Sequence, residues 1–172
     1  MADTFVDYNG KQYVWTGEDW YEAGSYLLPP VSIISYLNRK LAEVLADTDR
    51  QITERGALFN SAIAAREAGQ YQRAERLIRR ALSQSPQDQS LLAVLSSILR
   101  ARGLPQQAID ETGCEGSINN PALLTSRAAA FCDLRLWERA KAEVGRALAI
   151  EGSEEAFNVV HRIKAERPEL YR

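Results

Sequence analysis

Few side chains in this sequence have the type and spacing that chemistry requires. The one histidine, His161, has to be weighed alone. A general base needs an orienting partner and a nucleophile, and a single histidine supplies neither. Cys114 and Cys132 lie 18 positions apart. Two cysteines make no disulfide framework and fall short of the four ligands of a structural zinc site, so both read as free thiols. Gly10-Lys11 lacks the upstream glycine of a phosphate-binding loop. HExxH and CxxC do not occur. Glu154-Glu155 sits where acidic residues complement the start of a helix, not where they would share a proton. The expectation is a protein without catalytic residues, metal or cofactor.

One basic cluster remains. Arg73, Arg76, Arg79 and Arg80 fall within one stretch, and Arg73, Arg76 and Arg80 share a helical face that would suit phosphates. Glu75 interrupts them, the net charge is −2, and no nucleic-acid motif accompanies them. A nucleic-acid-associated regulator is therefore the alternative, not the leading reading.

The elements that would carry these residues are mostly helical. Charge is uneven along the chain. Residues 1–49 carry three basic and eight acidic side chains, whereas residues 50–102 carry nine arginines against four acidic residues. That contrast allows an acidic partner at the arginine-rich part, or the acidic segment itself folding back on it. No apolar run approaches the 18 residues of a membrane span. The acidic start lacks a basic region followed by an apolar stretch, so a cytoplasmic location is the default.

An internal period organises residues 55–154. Leu58-x3-Ala62, Gly69-x-Tyr71, Ala74, Ile78, Ala81 and Pro86 return as Leu92-x3-Ser96, Gly103-x-Pro105 and Ala108. They return again as Leu124-x3-Ala128, Arg135-x-Trp137, Ala140, Val144 and Ala147. Ala74, Ala108 and Ala140 are 34 and 32 positions apart. Each unit spells two amphipathic helices, with small residues where the helices approach closely. This pattern resembles the tetratricopeptide repeat. The units span about 55–88, 89–120 and 121–154. The second is degenerate, because Thr112-Gly113-Cys114-Glu115-Gly116 cuts its second helix short. In the third, Arg135 stands in for the turn glycine. A helix follows, with Ser153 as N-cap and Ala156, Phe157, Val160 and Ile163 as its apolar face, and it would close the open end of the stack.

The resemblance implies an all-α superhelix of three helix pairs that binds a peptide or protein in its concave groove. It puts Gly56, Phe59, Ile63 and Arg66 of the first repeat in that groove. Ser90, Ala93, Ser97 and Arg100 follow from the second, and Ala122, Thr125, Ala129, Cys132 and Asp133 from the third. Arg66 and Arg100 hold equivalent positions and would select an acidic ligand, or else face solvent beside local carboxylates. Phe59, Ile63, Ala93 and Ser97 replace the asparagines and lysine with which some members clamp a C-terminal carboxylate, so that activity is not expected. The implied role is an adaptor or scaffold, in a narrower form a small chaperone. A homodimer through the same groove is a further option.

Residues 1–30 differ. Asn9-Gly10 predicts a two-residue hairpin turn pairing Val6 with Tyr13 and Thr4 with Trp15. One face would then carry Val6, Tyr8, Tyr13 and Trp15. Thr16-Gly17-Glu18-Asp19 predicts the cap of a short helix holding Trp20 and Tyr21 and ending at Gly24. The aromatic cluster Tyr8, Tyr13, Trp15, Trp20, Tyr21 and Tyr26 either packs as a small core or offers part of itself, Tyr8, Tyr13 and Trp15, to a partner. After Pro29-Pro30 a linking helix is expected from Val31 to Ala46, with Ile34, Leu37, Leu41, Val44 and Leu45 on one face. Thr48 and Gln51 suggest a fresh start, without excluding one continuous helix.

Overall fold

The computed structural model describes residues 3–25, 27–113 and 118–172. Tyr26 and Cys114, both singled out above, lie outside the described residues, as does the Glu115-Gly116 part of the interrupting segment. The chain divides into two compact units, Met1–Glu54 and Arg55–Arg172.

In the first unit three strands, β1 (Thr4–Tyr8), β2 (Lys11–Trp15) and β3 (Trp20–Glu22), form an antiparallel sheet in that order. The hairpin register is as the sequence predicts, Val6 opposite Tyr13 and Thr4 opposite Trp15. Asn9 and Gly10 turn the chain with φ of 50° and 77°, the left-handed pair a type I′ turn demands. The expected short helix at 20–24 is instead β3. The Thr16 hydroxyl accepts from the Asp19 amide, and the Thr16 amide donates to the Asp19 carbonyl. These bonds close a tight turn that returns Trp20 opposite Trp15. Two bulky aromatics in succession favour the pleated conformation the turn imposes.

Helix α1 (Val31–Glu67) is one continuous helix of 37 residues, and no new start occurs at Thr48. Asp47 and Thr48 are spent inside the helix, Asp47 accepting from Gln51 and Thr48 donating to the Val44 carbonyl. Val6, Tyr13 and Trp20 pack on Ile33, Leu37 and Leu41. Trp20 Nε1 donates to Asn38 Oδ1 at 2.8 Å. Ile33, not Ile34, is the buried member of the first turn, while Val44 and Leu45 are exposed. The sheet covers only the first three turns of the face that the spacing marked out.

In the second unit the end of α1 pairs with α2 (Tyr71–Gln84), α3 (Gln89–Ala101) with α4 (Pro105–Asp110), and α5 (Pro121–Asp133) with α6 (Trp137–Ile150). Helix α7 (Glu154–Glu166) lies on α5 and α6, and a 3₁₀ turn, Pro168–Tyr171, packs back on α7. The small residues of the period, Ala62, Ser96, Ala128, Ala74, Ala108 and Ala140, are fully buried. Removing side-chain bulk there brings helix axes close enough for Ile78, Leu95, Ile98, Phe131 and Val144 to interlock around them. Asp88, Asn120 and Ser153 cap α3, α5 and α7 by accepting from backbone amides of the first turn. Gly69 and Gly103 turn the first two pairs with φ of 71° and 78°. Arg135 performs the same turn with φ of 60°.

The degenerate second repeat is held by a buried cation. Helix α4 has only six residues, and its last carbonyls need donors. Arg127 of α5 supplies them. Its Nη1 donates to Thr112 Oγ1 at 2.7 Å and to the carbonyls of Ile109 and Gly113 at 3.3 Å. Its Nε faces Glu143.

On α7 the buried face is Ala156, Val159, Val160 and Ile163. Phe157, expected on that face, is instead 52% exposed. The stripe that repeats at three and four positions from Ala156 passes through Val159 and Val160, and Phe157 falls beside it against Gly152.

Candidate functional site

A concave pocket of about 610 Å³ opens on the side of the second unit formed by α3, α5 and α7 with the last turn of α1. Its floor is small or apolar: Ala93, Val94, Ala122, Thr125, Ala129 and Val159. Its charged rim comprises Arg66, Arg100 and Arg162 with Glu151 and Glu155. Of the residues expected in a groove, Arg66, Ala93, Ser97, Arg100, Ala122, Thr125 and Ala129 line it.

Others do not. Phe59 and Ile63 are half-buried and pack against the first core cluster, around Leu58, Ala62 and Ile98. Gly56 and Ser90 are exposed but outside this pocket. Cys132 is 1% exposed, a core residue beside Phe131 and Ile163. Burial pushes its thiol pKa up, against the lowering influence of Arg162.

Asp133 does not line this pocket itself but is shared by two arginines that do. Its Oδ2 accepts from Arg100 Nε at 2.8 Å and its Oδ1 from Arg162 Nη1 at 2.6 Å. Arg66 makes a neutral contact only, its Nη1 donating to Ser97 Oγ at 3.0 Å. The serine hydroxyl in turn donates to the Val94 carbonyl. Neither arginine simply faces solvent beside a glutamate. One is held by a serine and the other by an aspartate of the following repeat.

Helix α7 contributes Glu155, Asn158, Val159 and Arg162, which the sequence reading did not place in the groove. The signal was present. Glu155, Asn158 and Arg162 recur at three and four positions, one polar stripe beside the apolar one. Treating the helix only as a cap hid its second face.

The arginine cluster on α2 is exposed but woven with carboxylates. Arg73 donates to Gln70, and Arg79 pairs with Glu75 and Glu111 at 2.9 and 2.8 Å. Arg102 also reaches Glu75. Arg76 is exposed, and Arg80 is engaged by another group. In the first unit Tyr13 is 3% exposed, so it belongs to the small core with its half-buried neighbours Tyr8 and Trp15. The packing reading of that cluster is the one the burial supports. Among the described residues no group of acidic, cysteine or histidine side chains is placed to hold a metal, and no helix is long and apolar enough to cross a membrane.

Stacked helix pairs with buried alanine columns and a concave face lined by first helices define a tetratricopeptide-repeat fold. Solved structures agree. The Sgt2 tetratricopeptide domain from Aspergillus fumigatus matches with a TM-score of 0.62 at 20% identity, over 69% of this chain and 82% of that one. The first such domain of Spaghetti (RPAP3), bound to the HSP90 peptide SRMEEVD, matches at 0.58 and 19% identity, over 66% and 93%. The Yersinia enterocolitica type III secretion chaperone SycD, in complex with a peptide of the translocator YopD, matches at 0.56 and 16% identity, over 67% and 93%. No family model and no curated protein matches the sequence. At these identities the likeness establishes the fold.

Proposed function

We propose that this protein is an adaptor or scaffold that holds a segment of another polypeptide in the pocket between α3, α5 and α7. The observation that carries this reading is the pocket itself. Its volume of about 610 Å³ lies within the range of sites that enclose a ligand, and small side chains keep its floor open. Ala93, Ala122 and Ala129 leave room for the ligand's own side chains, and the arginine rim favours acidic ones. Two of the structural neighbours, RPAP3 and SycD, are complexes with peptides, which supports the reading by analogy of fold. A small chaperone that shields a client segment is the narrower form of the same activity.

The test is affinity capture from the source cells with the tagged full chain, with and without nuclease, beside an Ala122→Trp variant. Ala122 is exposed on the pocket wall, so the indole fills the pocket without entering the core. A discrete set of proteins that survives nuclease and is lost with Ala122→Trp is the expected result. Proteins retained equally by the variant would overturn the pocket as the site. Loss of every partner to nuclease would turn attention to Arg73, Arg76 and Arg80.

A further inference from the structure

The two ends of the pocket are oppositely charged, and we infer that its ligand is a dipolar peptide, carrying an acidic group and a basic group a few residues apart. This inference rests on the pocket being the binding site. Glu155 and Arg162 stand seven positions apart on α7, so they share one face and lie roughly 10 Å apart along the axis. The remaining charges sort to the same two ends. Glu151, at the C-cap of α6, joins Glu155 where α7 begins. Arg100 joins Arg162 through Asp133 at the last residue of α5, and Arg66 stands one repeat further on at the last turn of α1.

The sorting leaves charge unbalanced at each end. At one end three guanidinium groups stand near one carboxylate: Arg100 and Arg162 share Asp133, and among the described residues Arg66 bonds only to the Ser97 hydroxyl. At the other end Glu151 and Glu155 have no cation among the described residues. An acidic ligand alone would meet two carboxylates that have no cationic side chain, Glu155 being offset only by the start of α7, and a basic one alone would meet the arginines. A segment with one charge of each sign satisfies both. The roughly 10 Å from Glu155 to Arg162 corresponds to about three residues of extended chain and Arg66 stands further on, so the ligand's two charges lie about three residues apart or a little more, with small uncharged residues between them over the alanine floor. Each end lies at a partly open rim, so each is worth a modest factor, roughly twofold to fivefold in affinity.

The experiment is selection of a displayed library of random nine-residue peptides on the full-length protein. Beside it run two variants, Arg66→Gln and the double variant Glu151→Gln with Glu155→Gln. The expected outcome is enrichment of peptides with an acidic and a basic residue three to five positions apart. The basic preference should vanish with the double glutamine variant and the acidic preference weaken with Arg66→Gln. Synthetic peptides from the pool should then lose roughly twofold to fivefold against the matching variant only. Enriched peptides of one sign, or with no charge pattern, would overturn the dipolar ligand while leaving the pocket as a peptide site. No enrichment on any of the three proteins would instead count against the pocket as a peptide site, and the inference would fall with it.

Discussion

Arg127 Nε lies 3.3 Å from Glu143 Oε1, with the two side chains 2% and 5% exposed. This pair joins α5 to α6, while the same guanidinium closes the end of α4. A buried pair adds little over a well-packed apolar replacement, but removing one member strands the other. Arg127→Met would leave Glu143 with Arg146 alone, itself 39% exposed, and would uncap α4. The expected cost is about 3–5 kcal/mol in urea unfolding. Pairing it with Glu143→Leu should recover part of the loss. A single-variant cost below about 1 kcal/mol would show that water or Arg146 already satisfies the glutamate.

Arg135 makes its turn with φ of 60°, a conformation that costs a side-chain-bearing residue about 1 kcal/mol or more. Arg135→Gly should therefore stabilise the protein by about 0.5–1 kcal/mol, the strain relieved less the entropy glycine gains when unfolded. Thermal unfolding would read this as a rise in midpoint, and a fall would mean that the arginine side chain contributes more than its backbone costs.

The Arg79 guanidinium beside Glu111 holds that carboxyl below the usual range, with Gln107 adding a second donor. A depressed folded-state pKa means stability present above the unfolded value of ~4.3 and lost as pH falls through the folded one. Arg79 is 41% exposed, so solvent discounts the pair. Glu111→Gln should cost about 0.5–1 kcal/mol at neutral pH and progressively less below pH ~4. A cost that persists undiminished at pH ~3 would assign it to packing rather than to charge.

Cys132 is buried and its thiol pKa is raised by that burial. In a Cys114→Ser background, thiol labelling of the native protein should be slow and should accelerate with unfolding in denaturant. Rapid labelling under native conditions would mean that α5 opens locally and that Cys132 does reach the pocket.

The repeat was legible because its small residues recur in register. Ala62, Ser96 and Ala128 are completely buried between helices, where small side chains let the helices pack closely. The hairpin was legible for the same kind of reason, since Asn9-Gly10 fixes the turn and the turn fixes the pairing. Failures came where a neighbour, not the local segment, decides. Trp20 is strand because β2 lies beside it, although Thr16 and Asp19 are equally at home at a helix start. Phe157 is exposed because the helices behind α7 meet Val159 instead. The site was half legible. Columns carried over from the repeat located the floor, but Glu155 and Arg162 enter from α7 and Glu151 from the C-cap of α6. The role of Arg127 left no local trace, because its partners Thr112 and Glu143 lie 15 and 16 positions away.

Asp133 receives one arginine from the repeat before it and one from the helix after it. Helices α3, α5 and α7 are thereby fastened at one end by charge, whereas their buried contact is mostly apolar. Charge at a partly exposed rim is weakened as salt rises, the screening length falling from about 10 Å at about 0.1 M to about 3 Å at about 1 M, and apolar packing is not. The stack should thus have a soft edge and a stiff one. Ionic strength would tune how far the pocket's mouth can flex, leaving its floor unchanged.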